Sequence, residues 1–151
     1  MNAINRTNTA VDAALAVVRI ATAIIFIAHG WQKVFQFGIG GVTQGFTQMG
    51  IPLPGISAPL VAFLELVGGT LLLAGLLTRP IALLLAFDML GAMFLVHFKN
   101  GFFLPDGFEF TFILLATSLA LVLAGAGAYS LDALIAKRRR TAAPAPAAAR
   151  Y

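Results

Sequence analysis

The sequence predicts an all-α integral membrane protein: a four-transmembrane-helix bundle with a short interfacial helix in the first outer loop. Three observations predict it. The chain is 60% hydrophobic and only 11% charged, with a mean hydropathy of +0.92, which lies outside the range of soluble domains. Four apolar stretches, at about residues 11–30, 58–77, 80–98 and 109–128, each hold about 20 residues, enough at ~1.5 Å of rise per residue to cover ~30 Å of hydrocarbon. The segments between them carry Gly, Pro, Gln and Asn, which punctuate helices.

Residues 1–10 are polar and are expected to form a disordered leader on the cytoplasmic side of the membrane. The segment 11–30 follows Arg6 as a secretory signal would. Arg19 interrupts its apolar run, however, and His-Gly-Trp-Gln stands where a small-residue cleavage site belongs, so it is read as a retained first span. In the next loop Val42, Phe46 and Met49 recur at i, i+4 and i+7 with Thr43, Gln44, Thr47 and Gln48 between them, the pattern of a helix lying in the interface. Gly50 and Pro52 stop it. Ser57 is expected to cap the second span with Pro59 in its first turn, and Leu77-Thr78-Arg79-Pro80 is the turn into the third. Asp106 and Glu109 have capping-box spacing ahead of the fourth span, which carries no charge and is rich in small packing residues. The membrane domain is thus 11–130, followed by a basic, Ala/Pro-rich tail, 131–151, whose last part is not expected to fold.

Four spans place both termini on one side, together with Arg6, Arg79 and Lys137 to Arg140, against Lys33 and Lys99 in the other loops. The positive-inside bias makes that side cytoplasmic. The net charge of +4 is therefore a topology signal, and no nucleic-acid partner is implied; the lipid bilayer is the expected surrounding. The chain has no cysteine, which excludes disulfides, thiolate metal sites, iron–sulfur ligation and a Cys-x-x-Cys relay. No metal centre is expected. P-loop, dinucleotide-fingerprint and nucleophile-elbow motifs are missing as well. Redox chemistry would need a bound cofactor or a partner protein.

The candidate functional residues are the ionisable groups inside the spans, because a charge at lipid depth is costly and must face protein or water. Arg19 and Asp88 come out at a similar depth, ~12 Å from the cytoplasmic side, and are expected to form a structural ion pair. Glu65 falls in the outer half with His29 nearby in depth and no basic partner assigned to it. Arg19, Thr22, Phe26, His29 and Lys33 follow a 3-4-3-4 spacing that places them on one face of the first helix. Glu65 with His29 is accordingly read either as a ligand or proton site, or as a structural hydrogen bond. His97 is nine residues from Asp88, half a turn out of phase, and can share its cavity only if the last turn unwinds. Two histidines near the outer surface could also serve as axial ligands of a b-type haem, a reading that no residue spacing supports.

The segments VVRIATAIIFIAHGWQKVF, Gly50-Ile51-Pro52, FLELVGGTLLLAGLLTRPIALLL and AFDMLGAMFLVHFKNGFF resemble, in order and spacing, the DoxX family of small bacterial membrane proteins. The resemblance covers roughly residues 15–120. It implies a four-helix protein of the bacterial inner membrane and an oxidoreductase or oxidoreductase subunit. One branch of the family resembles a subunit of a thiosulfate:quinone oxidoreductase, and others are linked to membrane redox complexes handling thiol or superoxide stress. By position Arg19, His29, Lys33, Glu65, Arg79, Asp88 and His97 would be its polar set. The expectation is a quinone-linked redox accessory working with partner redox proteins, in which His29, Glu65 and His97 hold a quinone head and Glu65 or His29 carries the proton. The alternatives are a small transporter or transport-complex subunit, and a scaffold subunit. Substrate and oligomeric state are not encoded in any motif.

Overall fold

The computed structural model describes residues 3–142, and every regular element in it is helical. The helices are α1 (Ala3–Trp31), α2 (Gly38–Gln48), α3 (Pro54–Phe63), α4 (Gly69–Ala74), α5 (Thr78–Ala92), α6 (Glu109–Ala124) and α7 (Leu131–Ala142). Wide π-helical turns extend α1 (Gln32–Gln36), join α3 to α4 (Leu64–Gly68) and extend α5 (Met93–His97). Three continuous rods result, Asn8–Gln36, Pro54–Ala74 and Thr78–Asn100, each long and apolar enough to cross a bilayer. The fourth apolar helix, α6, is shorter, 16 residues or ~24 Å. The four pack in a ring: α1 against α3–α4 and α6, and α5 against α4 and α6. Ala23, Phe26, Leu72, Leu85, Leu114 and Leu121 form their shared core.

Several boundaries differ from those expected. α1 begins at Ala3, inside the stretch read as a disordered leader. The Ala/Pro-rich end, 143–151, lies outside the described residues. Helix α3 starts at Pro54, so Ser57 sits in the first turn, donating to the Pro52 and Leu53 carbonyls at 3.0 and 3.1 Å instead of capping the backbone N–H groups. Glu109 reaches back to the Leu104 N–H at 2.9 Å, a structural role as expected, but not the capping box with Asp106. The short helix expected between the first and second spans forms, as α2, with Val42 buried.

The turn between the second and third rods comes earlier than Pro80. Gly75 adopts φ +66, a left-handed conformation that glycine accepts without steric cost, and ends α4. Asp132 of α7 then takes the N–H groups of the cap and the first residue of the next helix: Leu77 N and Thr78 N each donate to its carboxylate at 2.9 Å. This start of the basic segment is therefore not a loose tail. A charged acceptor at a helix N-terminus satisfies orphan donors and the helix dipole together.

Candidate functional site

Depth follows from that turn. Glu65 lies about nine residues before Ala74 and Asp88 about ten after Thr78, so both stand ~14–15 Å from the hairpin end. They are level with each other. The expected level of Asp88 with Arg19 assumed that the helices break two or three residues later than they do.

Gly30 sets the approach of α1. A Cβ there would lie 2.3 Å from the Leu66 backbone nitrogen, so only glycine allows this crossing. Just beyond it, the π turn at Gln32–Gln36 carries Lys33 onto the π turn that carries Glu65, and the Lys33 ammonium forms a salt bridge with Glu65 Oε2. The side chains of Lys33 and Glu65 are 19% and 5% exposed, so the pair is shielded from solvent. The Asp88 carboxyl lines the same cavity as Lys33 and Glu65 and lies within the electrostatic reach of both. Its Oδ2 is buried without a hydrogen-bond partner. Lys33, Glu65 and Asp88 therefore form one unit of two carboxyls and one ammonium at the back of a cavity of about 580 Å³. Most of the other lining side chains are apolar, among them Phe46, Met49, Leu60, Leu84 and Leu95.

His97 lines the same cavity. An unbroken α-helix would turn it away from Asp88, but the π turn at Met93–His97 adds one residue to a turn and so rotates the end of the rod by ~100°. His97 Nδ1 lies 2.9 Å from the Asp106 carbonyl, which also accepts from Asn100 Nδ2 at 3.2 Å, so the histidine ties the rod to the loop before α6. π turns in helices gather at functional sites. Here each of the three contributes to the lining of one cavity, two supplying Lys33 and Glu65 and the third His97.

His29 is not in this cavity. The inward line of α1 runs through Arg19, Thr22, Ala23, Phe26 and Gly30, leaving His29 exposed on the shoulder beside it. It lines a separate shallow recess with Ile24 and Trp31, its ring 6.1 Å from that of Phe110. The two histidines thus line different recesses and do not offer a pair of axial haem ligands.

Arg19 and Asp88 do not form the expected ion pair. Arg19 is 3% exposed, and its guanidinium donates to the Ala126 carbonyl and, at 2.7 Å, to the Tyr129 carbonyl. These carbonyls lie just past the end of α6, where Gly125 (φ +82) breaks the helix before the expected limit at 128. Carbonyls freed where a helix breaks need partners when the protein covers them, and the planar fork of Arg19 serves two at once. Arg79 does the same more weakly at the surface, donating to Leu123 O at 3.3 Å.

The residue that the sequence placed in a loop is Lys33, the partner of Glu65. Its signal was present: Lys33 continues the 3-4-3-4 face of α1 beyond Phe26.

No solved structure matches this chain. Among curated proteins it is 36% identical over 133 residues to "Putative oxidoreductase CatD" of Bacillus subtilis, a match covering 88% of this chain and 95% of the relative. It is 36% identical over 138 residues to "Inner membrane protein YqjF" of Escherichia coli, covering 84% and 95%. "Inner membrane protein YphA" of the same organism is 31% identical over 124 residues, covering 78% and 87%. The profile of the DoxX family matches residues 14–98, the stretch that carries Arg19, Lys33, Glu65, Asp88 and His97, and the chain belongs to the DoxX family of membrane proteins.

Proposed function

We propose that the cavity binds the hydrogen-bonding head of a lipid-soluble quinone or its quinol, and that the chain serves as a multi-pass membrane component of a redox system whose electron carriers are partner proteins. In this reading α6 is a fourth span and both termini face the cytoplasm across the bacterial inner membrane. The observation that carries the proposal is the convergence of Lys33, Glu65, Asp88 and His97 on one largely apolar cavity within membrane-crossing helices.

The donor set fits such a head. Lys33 retains N–H groups beyond the one given to Glu65 and can donate to a carbonyl oxygen. Asp88 Oδ2, buried and unpaired, can accept from a ring hydroxyl. With both carboxyls ionised the three groups sum to one negative charge, so the unit can hold one proton, at Asp88 Oδ2, and become neutral. A bound quinone would supply the electron-transfer chemistry that no side chain here supplies. The protein's part is to orient the head, exclude water and hold that proton. Fully buried Phe26, Leu72, Leu85 and Leu121 plug the bundle on the hairpin side of the unit, which supports a closed site over a transport path. The relative named as an oxidoreductase agrees with this reading.

Organic extraction of protein purified in mild detergent is expected to yield quinone in proportion to protein, and a Lys33→Gln, Asp88→Asn variant of equal folded yield is expected to yield none above the detergent blank. Equal quinone from both proteins would refute the site and favour a scaffold role.

A further inference from the structure

The cavity has an apolar, exposed side between α3 and the third rod. The second and third rods pack together where α4 and the Leu64–Gly68 turn meet α5, whereas α3 and the Met93–His97 turn have no comparable contact. The rods therefore diverge toward the outer end, and the cavity occupies the divergence, with Phe46 and Met49 of the α2 segment on its wall. Leu60 of α3 and Leu84, Phe87 and Leu95 of the third rod line it while remaining 60, 49, 63 and 49% exposed. Large apolar side chains that are half open on a membrane-crossing rod meet acyl chains, not water. The cleft thus has a polar back and an apolar mouth, and a head placed against Lys33 and Asp88 has room for a long substituent only toward the mouth.

Charge narrows the ligand further. A phosphate head would meet the Glu65 and Asp88 carboxyls, and the ammonium of Lys33 is already paired with Glu65, so the unit offers an anion no unpaired cation. A neutral head with both a donor and an acceptor suits it. Resting on the quinone reading of this cavity, we infer that its ligand is a neutral amphiphile with one long apolar tail, which enters sideways from the bilayer between α3 and α5 and leaves its tail in that cleft.

The test compares two probes with the same ring: a tail-free tetramethyl quinol and its decyl-tailed analogue. Both are titrated into the full chain in detergent, with partition into micelles measured and corrected. The decyl compound is expected to bind at least about tenfold more tightly, since each buried methylene adds favourable transfer energy. Leu60→Trp, at an exposed site that tolerates bulk, should remove that advantage while leaving tail-free binding within about twofold. Equal affinity of the two probes in the parent, or a Leu60→Trp protein that keeps the tail advantage, overturns the lateral entry. Displacement of the decyl probe by phosphatidylglycerol but not by excess tail-free quinol overturns the neutral head. Binding of neither probe overturns the quinone reading itself, so the two failures are distinct.

Discussion

Replacing Arg19 by Leu separates the observed role of this residue from the ion pair that its depth in the sequence suggests. The substitution removes the donors to the Ala126 and Tyr129 carbonyls. Ala126 is 7% exposed and its carbonyl is left without an evident replacement, whereas Tyr129 is 57% exposed and can turn to headgroups or water. A buried acceptor left unsatisfied costs ~1–3 kcal/mol, and a hydrogen bond from a charged donor contributes ~1.5–3 kcal/mol, so most of the loss falls on Ala126 and the total should be about 2–4 kcal/mol. Arg19→Lys should lose about half as much, because an ammonium on a shorter reach replaces a planar fork. Asp88→Leu should cost little, since Asp88 Oδ2 has no partner to lose. Unfolding midpoints in detergent for Arg19→Leu, Asp88→Leu and the double variant form a cycle, and sites about one Glu65-to-hairpin length apart should add within ~0.5 kcal/mol. Recovery of stability in the double variant by more than ~1 kcal/mol would show that the two side chains meet, and would refute the placement of Arg19 on the carbonyls after α6.

Lys33 and Glu65 should behave in the opposite way. Lys33→Met or Glu65→Leu alone should destabilise by roughly 3 kcal/mol by leaving a shielded charge unpaired, and the double variant should recover most of it, as read by the same unfolding cycle. Gly30→Ala puts a Cβ at 2.3 Å from the Leu66 nitrogen, so the helices must part; a loss of ~1–3 kcal/mol is expected, with weaker coupling between Lys33 and Glu65. His97→Ala removes a bond to the Asp106 carbonyl, at a cost of about 1 kcal/mol, and should speed hydrogen exchange in 101–108 while leaving the hairpin at 75–78 unchanged. Single cysteines at the exposed positions Gln44, Asn100 and Thr141, introduced into a chain with none of its own, should react with an impermeant reagent from outside at the first two only. External labelling of the third would overturn the four-span reading.

The apolar stretches made the membrane-crossing rods legible, and the alternation of Val42, Phe46 and Met49 with polar residues made α2 legible. Glu65 and Asp88 stood out for the same reason, as acids that hydrocarbon does not tolerate alone. Their partners were harder to read because depth was counted from a turn at Leu77 to Pro80, whereas Gly75 ends the helix first. That shift of a few residues moved Asp88 from Arg19 to Glu65. The Arg19 fork was hidden because its acceptors are backbone carbonyls freed by the break at Gly125, and no side chain in the sequence announces them. His29 drew attention by its depth near Glu65 and its place in the 3-4-3-4 spacing, while the position that faces inward is Gly30, whose role is to have no side chain. The π turns carry no propensity signature, so the phase of His97 could be stated as a condition and only the structure meets it.

The central claim is that Lys33, Glu65 and Asp88, and not His29, form the ligand site. It is tested most directly by titrating the decyl-tailed quinol into the parent and into Lys33→Gln, Glu65→Gln, Asp88→Asn and His29→Asn proteins, each checked for folded yield. The account predicts that the first three lose at least about tenfold in affinity, consistent with the loss of a buried polar partner at ~1.4 kcal/mol per decade, and that His29→Asn binds as the parent does. Parent-like binding by Asp88→Asn and Lys33→Gln together with loss in His29→Asn would contradict it and move the site to the recess lined by His29.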